Sequence, residues 1–454
     1  MINKLAESFL FILFCLTYFI GHYYGFNIYI IIILLIYIVG MIYFEYKSTK
    51  SIIAPKILWI ICWLLVIVIA RLGGMYIYIT PWSNELNKYV ILNTMCFFFI
   101  YDITEKLAHI ARNKSRNIHS IDYYDKKINY KVIYYVSIIL LIISILCFWL
   151  NVLKFRYIPA FKTDDDSYRI AFRETTLNVL FNIGRITCSL VPLLRNKVSK
   201  KYYNISILLI IIYLICSFLT GWRATMFQGI IMYVTTEFIL NIKTTNMIDA
   251  LKKSWKYIIL VIGVFVIVAI QRSLSKGGNY INVLSFGLFM IYMYIAPQFI
   301  NFETGLMTII PNYNLVQTTE GLWSMLFDHS YFQSYQKIYI VMKGGYNVST
   351  YLLLPYVDGG IFGTLFWTAA IAFVAAVSFE VARDRKSIIA FPILSITNML
   401  IFSMHSGFVF ASSVCYVWIF LSFIISKIIY KKGKKKYSIS LNGGIGNGDN
   451  KVTN

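Results

Sequence analysis

The chain has 454 residues, of which 59% are hydrophobic and 14% charged, and its formal net charge is +22. Its mean hydropathy is +0.67. A soluble domain carries about 25% charged residues, so this composition excludes a soluble enzyme, a disordered protein and, despite the basic charge, a nucleic-acid-binding protein. The sequence therefore predicts an all-α, polytopic integral membrane protein.

Apolar runs recur along the whole chain, and a membrane-spanning helix needs about 20 such residues. The first run follows Met-Ile-Asn-Lys and lacks a small-residue cleavage site, so it is interpreted as an uncleaved first helix. We predict twelve spans, near residues 7–24, 26–44, 56–73, 89–104, 132–152, 175–194, 203–220, 224–240, 257–271, 359–379, 388–405 and 408–426.

Basic residues indicate the orientation of these spans. If the N-terminus is cytoplasmic, the inner segments hold 29 of the 42 lysines and arginines. An excess of basic residues marks the cytoplasmic side, so both termini are predicted to lie inside. The chain is then predicted to form one transmembrane domain, 1–430, followed by a basic, disordered cytoplasmic tail, 431–454, whose last part, 439–454, is rich in Ser, Asn and Gly.

Two outer segments are long, 153–174 and 272–358, and long connections often carry function. Residues 281–300 are apolar enough to span, but a full span there would place the C-terminal lysines outside. We therefore predict a re-entrant or interfacial segment in the second loop, with its helix broken at Pro297. The seven cysteines lie within the spans without a metal-binding spacing, and we expect them to pack as small apolar residues.

Arginine and lysine are distributed differently. The inner segments hold 24 of the 30 lysines but only 5 of the 12 arginines. The planar guanidinium group binds phosphate or carboxylate with two parallel hydrogen bonds, so outward arginines predict an anionic ligand at the outer face. Snorkelling at helix ends is the alternative explanation. The seven remaining arginines are Arg71, Arg156, Arg169, Arg173, Arg185, Arg223 and Arg272.

Four of these arginines have specific local contexts. Arg185 lies near the middle of the sixth span, where a charge must be paired or hydrated. Arg223 ends a Thr-Gly-Trp-Arg turn, and an interfacial Trp-Arg belt is the alternative to an anion site there. Arg169 and Arg173 are four residues apart, so a helix would place both on one face. Three residues share a polar stripe with Arg185 at helical spacing: Asn178, Asn182 and Ser189.

Acidic residues in the outer segments allow two interpretations. Asp164, Asp165 and Asp166 resemble a metal-binding pattern, but acids that cap a helix N-terminus explain them better. The long loop contributes Glu303, Glu320, Asp328 and His329, and a solvated loop histidine is the ordinary alternative for the last of these. Asp358 stands at the mouth of the tenth span, where a simple helix cap is the alternative to a chemical role.

The stretch that ends at this position resembles a known family. An N-x-x-T pattern followed eight residues later by D-G-x-x-x-G, after a large outer loop, resembles the Wzy-like O-antigen and capsule polymerases. The matching residues are Asn347, Thr350, Asp358, Gly359 and Gly363. The turn ending at Arg223 resembles that family's G-x-R turn, and Tyr168-Arg169 resembles its outer-loop arginine.

The resemblance implies polymerisation of undecaprenyl-diphosphate-linked oligosaccharide repeat units at the outer face of the bacterial cytoplasmic membrane. The growing glycan would move to the non-reducing end of a new unit, without a metal or other cofactor. The implied partners are this lipid-linked glycan, the bilayer, a chain-length regulator and a flippase. The arginines assigned to the diphosphate are Arg169, Arg173, Arg185, Arg223 and Arg272.

The remaining roles concern the acceptor sugar. Asn347, Thr350 and Asp358 are expected to shape its site, with Asp358, His329 and Arg223 as the catalytic candidates and His405 as a further base. The related O-antigen ligases carry His-Asn where this chain has Tyr346-Asn347, which weakens a ligase assignment and leaves the base open. A flippase for the same lipid is the other alternative, although such transporters place charges between two similar halves and no repeat is detected here.

Overall fold

The computed structural model describes residues 2–71, 82–115, 128–161, 166–220, 223–241, 283–326, 349–383, 387–404 and 412–429, together with residues 249, 252, 255 and 407. This part of the chain is helical and contains no strands, which confirms the predicted all-α class. Its α-helices are α1 (Ile2–Tyr24), α2 (Ile28–Thr49), α3 (Pro55–Trp59), α4 (Val66–Arg71), α5 (Asn84–Ser115), α6 (Tyr130–Phe155), α7 (Asp166–Arg173), α8 (Thr176–Ile183), α9 (Thr187–Leu190), α10 (Lys200–Leu219), α11 (Arg223–Asn241), α12 (Val283–Thr308), α13 (Val316–Leu326), α14 (Leu353–Arg383), α15 (Ala390–Phe402) and α16 (Ser413–Ile429).

Several of these helices are long and apolar enough to cross a bilayer. Eleven of the twelve predicted spans overlap helical segments, and the ninth, 257–271, lies outside the described residues. Three apolar helices are shorter, Ala224–Leu240, Ala390–Phe402 and Ser413–Ile429. By length and composition six helical segments of the described chain qualify as spans: Ile2–Tyr24, Ile28–Thr49, Tyr130–Phe155, Thr176–Leu194, Lys200–Leu219 and Leu353–Arg383.

The helices pack around two apolar cores. The first is formed by α1 to α5, α12 and the start of α14, and its centre contains Trp59 stacked on Phe97 with ring centroids 3.7 Å apart. The second is formed by α6, α8 to α11, α15 and α16. Large apolar side chains remain exposed along the outer faces of α1, α2, α6 and α10, which is the pattern expected of helices that contact lipid.

The second outer segment differs from its prediction. Helix α12 continues through Pro297 over its whole length, so the predicted break at this residue is wrong. Proline removes one backbone hydrogen bond but does not by itself end a helix whose neighbours are well packed. Here Phe299 and Phe302 are fully buried on the next turns, and Phe299 stacks on Trp82 at 4.7 Å. Residues 283–308 and 316–326 of the predicted loop are therefore helical.

Helix α14 contains a sharp kink at its two adjacent glycines. Gly360 has φ +56° and ψ −139°, a conformation that side-chain-bearing residues rarely adopt. After the kink, the chain returns so close that a Cβ atom on Gly363 would lie 2.2 Å from the carbonyl oxygen of Pro355. The close approach at Gly363 thus occurs within one broken helix.

This close approach predicts different tolerances for two neighbouring glycines. Gly363→Ala should destabilise the protein by about 1–3 kcal/mol, because the new methyl group meets rigid backbone. Gly359→Ala is the matched control, since a Cβ atom there meets nothing within 4 Å and its φ of −162° is extended. Thermal unfolding of the purified protein in lipid nanodiscs measures both. Equal melting temperatures for the two variants would contradict the kinked geometry.

Candidate functional site

Arg185 lies inside the second core, and its contacts are polar rather than acidic. Only 3% of the residue is exposed. Its guanidinium group donates hydrogen bonds to Asn182 Oδ1 and Gln228 Oε1, and it lies 5.0 Å from the ring of Trp418. Its Nε–H has no hydrogen-bond partner, and no carboxylate forms an ion pair with it among the described residues. A buried cation without an acidic counter-ion is unusual inside a helical bundle.

The predicted polar stripe is confirmed as a continuous column of hydrogen bonds. Asn178 Nδ2 donates to the carbonyl oxygen of Arg173 at 3.0 Å, and Asn182 Nδ2 donates to that of Asn178 at 2.9 Å. Since Arg185 donates in turn to Asn182, the column joins the end of α7 to the interior of the bundle. The four residues of the predicted stripe, Asn178, Asn182, Arg185 and Ser189, are all buried, as expected of a stripe that faces other helices.

The backbone is irregular where the column reaches Arg185. A 3-10 turn, Gly184–Ile186, separates α8 from α9, and such a turn inside a longer helix often marks a functional position. Gly184 allows the close contact with α6, because a Cβ atom there would lie 2.3 Å from Ser144 Oγ. On the opposite side, Trp418 Nε1 donates to the carbonyl oxygen of Asn182 at 3.0 Å. The turn is thus held between two neighbouring helices.

Helix α7 lies at the Arg173 end of the column, and it is the helix on which the 169–173 spacing would place both arginines on one face. Asn151 Nδ2 donates to the carbonyl oxygen of Phe172 at 3.0 Å, and the hydroxyl of Tyr157 donates to that of Tyr168 at 2.8 Å. Arg173, the last residue of the helix, has an exposed side chain. Arg169 lies one turn earlier on the same helix, although its side chain is outside the described residues. The hydrogen bonds from Asn151 and Tyr157 hold α7 against the end of α6 and the residues that follow it.

Arg223 is the first residue of α11, and the same helix carries Gln228. Gln228 is five positions after Arg223, which corresponds to a rise of about 7.5 Å along the helix axis. Because Gln228 accepts a hydrogen bond from Arg185, the backbone of Arg223 lies one and a half turns from the buried column. The side chain of Arg223 is outside the described residues, and so are Gly221 and Trp222 before it.

Asp358 occupies a different position from the column and caps a helix. Its carboxylate accepts hydrogen bonds from the backbone N–H of Gln317 at 2.9 Å and from both the N–H and the hydroxyl of Thr318 at 2.6 Å. The capped helix is α13, which precedes Asp358 by about 40 residues in the chain, not the span in which Asp358 itself lies. A carboxylate at this end of a helix is stabilised by free amides and the helix dipole.

Thr350 precedes this position and is also buried. It is 1% exposed, and within the described ranges the hydroxyl oxygens of Thr350 and of its neighbour Ser349 have no hydrogen-bond partner. The adjacent N–H of Tyr351 donates to the carbonyl oxygen of Met404 at 2.8 Å. The segment that starts α14 is therefore fixed to the end of α15, with two buried hydroxyl groups available at this junction.

The two parts of the site meet through α16. Helix α13, capped by Asp358, packs against α16. Helix α16 also carries Trp418, which lies beside Arg185. Sequence reasoning missed the roles of Gln228 and Trp418. An amide inside the eighth apolar span was the available signal for Gln228, whereas nothing distinguishes Trp418 from a packing residue.

Other predicted site residues lie outside the described part of the chain. These residues are Arg272, His329, Asn347 and His405, with Asp328 beside the first histidine. Glu303 is described: it is 6% exposed and accepts a hydrogen bond from the N–H of Ser83 at 2.5 Å, which joins α12 to the start of α5. All seven cysteines are unpaired with one another, and six are buried, as the packing prediction expected.

Comparison with known proteins identified no relative of this chain. No family model matches it, and no curated protein or solved structure is significantly similar to it. Among the described residues, no group of three or more His, Cys, Asp or Glu side chains is arranged to hold a metal ion.

Proposed function

We propose that this chain is a membrane glycosyltransferase that polymerises undecaprenyl-diphosphate-linked oligosaccharide repeat units into O-antigen or capsular polysaccharide. The proposal includes twelve spans, both termini in the cytoplasm, and a site that opens at the outer face of the bacterial cytoplasmic membrane. It rests on the family resemblance of the 347–363 stretch and on the outward arginines. A lipid-linked oligosaccharide is the substrate, and neither a metal nor another cofactor takes part.

The observation that carries the proposal is Arg185. A cation in the interior of a membrane bundle is unfavourable by several kcal/mol unless an anion or water compensates it. Its partners are neutral, and its Nε–H is unpartnered. A diphosphate bound next to it would supply the missing counter-charge, and the column from Arg173 leads from the outer helix to this position.

The reaction assigns a role to each part of the site. A hydroxyl oxygen of the acceptor sugar attacks the anomeric carbon of the donor, the bond from that carbon to the phosphate oxygen breaks, and undecaprenyl diphosphate leaves with the electron pair. Arg173, Arg185 and Arg223, together with Arg169 and Arg272, would stabilise the charge that develops on the diphosphate. The hydroxyl proton passes to a base, for which His329 and His405 are the candidates besides Asp358.

Two substitutions test whether Asp358 is the catalytic base or a residue that only caps a helix. Because its two oxygens already accept three hydrogen bonds, Asp358 is occupied as a cap, and we expect Asp358→Asn, which keeps one acceptor oxygen for the helix end, to retain most of the chain extension. Asp358→Ala should destabilise the protein by about 1–2 kcal/mol through loss of the cap. Glycan length and thermal unfolding measure the two effects. Loss of extension in a stable Asp358→Asn protein would instead identify Asp358 as the base.

The function itself is tested by deleting the gene in its own host and sizing the lipid-linked and surface glycan. Single repeat units at the surface, with the long-chain ladder absent, are expected for a polymerase. A flippase is the second candidate, because a buried arginine without an acidic partner also suits a central transport cavity. In that case lipid-linked units would accumulate on the inner face. A normal ladder that stays on its lipid carrier would indicate a ligase.

A further inference from the structure

A second set of charged side chains lies at the end of the bundle where α1 begins, far along the chain from the arginine column. Four helices contribute to it, and the apolar runs around these residues gave no reason to group them. The members are Lys4 and Glu7 of α1, Glu45 of α2, Lys56 of α3, and Asp102 and Glu105 of α5. We refer to these six residues as the N-terminal charge cluster.

Lys56 holds the centre of the cluster. It is 0% exposed, and its ammonium nitrogen lies 2.8 Å from Glu7 Oε1 and 2.6 Å from Asp102 Oδ1. Lys4 is closer to the surface, paired with Glu45, and 2.9 Å from Glu105. Burial of this many charges is unfavourable unless they compensate one another. The difference between the number of carboxylates and the number of ammonium groups therefore decides whether the cluster binds a further positive charge.

Within the described part of the chain the charges of the cluster do not balance, because four carboxylates face two ammonium groups. The imbalance is greatest at Glu7 and Glu45, which are both 0% exposed and within hydrogen-bonding reach of each other. Neither oxygen of Glu7, nor Oε1 of Glu45, has an aligned hydrogen-bond donor. Two buried carboxylates in contact repel strongly, and a single shared proton removes this repulsion.

Tyr101 is independent evidence of an unfilled position. The residue is 0% exposed, and among the described residues its hydroxyl has no hydrogen-bond partner. The hydroxyl is close enough to Glu105, Glu45, Glu380 and Asp102 to interact with them electrostatically, and the ammonium nitrogen of Lys56 lies 6.0 Å from the centre of its ring, so Tyr101 lies beside the cluster. A fully buried tyrosine hydroxyl normally finds a partner. On the remaining packed helix, α14, the nearby charges are Glu380 and Arg383, which pair with each other at 2.6 Å.

We propose that Glu7 and Glu45 form a proton-binding site, in which the two carboxyl groups share one proton. The proton supplies the hydrogen-bond donor that the Glu7 carboxyl group and Oε1 of Glu45 lack, and it lowers the excess negative charge of the cluster by one. A metal ion fits less well, because Lys4 and Lys56 already occupy the positions next to the two glutamates. This inference does not rest on the proposed function.

The proton can exchange with solvent at this end of the bundle. The side chains of Lys4 and Asp102 are 25% and 26% exposed, and that of Glu105 is 13% exposed, whereas Glu7 and Glu45 are completely covered. Ionisable side chains that connect a buried carboxyl group to the surface in this way are typical of proton relays in membranes. The predicted orientation places this opening at the cytoplasm.

Infrared difference spectroscopy of the full-length protein in lipid nanodiscs at neutral pH tests the site. We expect a C=O stretching band of a protonated carboxylic acid that shifts to lower frequency in D₂O. Glu7→Gln and Glu45→Gln should each abolish the band while keeping the melting temperature within about 2 °C, because Gln is nearly isosteric with the protonated acid. Glu237→Gln is the matched control and should leave the band in place, since Glu237 is a buried carboxylate that pairs with Arg195.

Tyr101→Phe provides a second variant that keeps both glutamates. Removal of its hydroxyl should shift the frequency of the band without abolishing it. A wild-type protein without the band overturns the proposal, as does a band that survives in either folded glutamine variant. If the glutamine variants do not fold, an unchanged band frequency in the Tyr101→Phe protein overturns the proposal. If the band is absent and Na⁺ or K⁺ stabilises the wild-type protein, the site binds a metal cation instead of a proton, and the proposal is wrong.

Discussion

Arg185→Gln is expected to reduce chain extension by about 10²–10³-fold and to leave the protein folded and inserted. Glutamine keeps an amide donor for Asn182 and Gln228 but removes the charge that would stabilise the leaving diphosphate. Because Arg185 has no acidic partner among the described residues, its removal leaves no carboxylate uncompensated. The melting temperature should therefore stay at the wild-type value or rise, as often happens when a functional charge is removed from a buried site.

Arg195→Gln is the matched control for this prediction. Arg195 follows the same span and pairs with Glu237, which is 1% exposed. Its loss leaves a buried carboxylate without a partner, so we expect a lower melting temperature with a near-normal glycan ladder. Gel analysis of the glycan and thermal unfolding in nanodiscs measure the two quantities. A parallel loss of stability and activity in Arg185→Gln, or a wild-type ladder, would contradict the diphosphate role.

Arg223→Ala is the second substitution with a large expected effect. It should abolish chain extension, because the proposed diphosphate would lose a guanidinium group at the start of α11, where free backbone amides also favour an anion. Membrane insertion should be unchanged, since the substitution is at the first residue of the helix. The glycan ladder in the complemented deletion strain, compared at equal protein levels in the membrane, measures the effect.

Lys88→Ala is the control for a general loss of basic charge at the face that is predicted to be the outer one. Lys88 lies in the first turns of α5, its side chain is 54% exposed, and its distance to Glu85 is 3.9 Å. Such an exposed pair contributes about 0–1 kcal/mol, so its removal should change neither stability nor glycan length. If Arg223→Ala gave chains of wild-type length, or if Lys88→Ala shortened them equally, the specific role of Arg223 would be wrong.

Much of the helical architecture could be predicted from the sequence, because hydropathy and helical spacing are local properties. The same locality explains why the polar stripe around Arg185 and the short helix with Arg169 and Arg173 were correctly predicted. A charge inside an apolar run must face other helices, whatever those helices are. Arg185 could therefore be recognised from the sequence as a buried polar position, although its partners Gln228 and Trp418 could not.

Pro297 shows where a local rule was insufficient. An interior proline destabilises a helix by about 3 kcal/mol, which on its own predicts a break. In the folded chain the turns that follow it bury Phe299 and Phe302 against the first core. Burial of two aromatic side chains contributes about 1.5–3 kcal/mol each, so packing outweighs the local penalty. Only the identity of the neighbouring helices decides this balance.

The contacts that define both sites join residues far apart in the chain. Asp358 caps a helix some 40 residues before it, Arg185 binds Gln228 43 residues later, and Glu45 meets Lys4 from another helix. The sequence alone determined that the chain is an all-α protein with membrane-length apolar helices and buried polar positions. Which polar groups meet depends on helix packing, because the energy of a buried charge is set by partners that local composition does not encode.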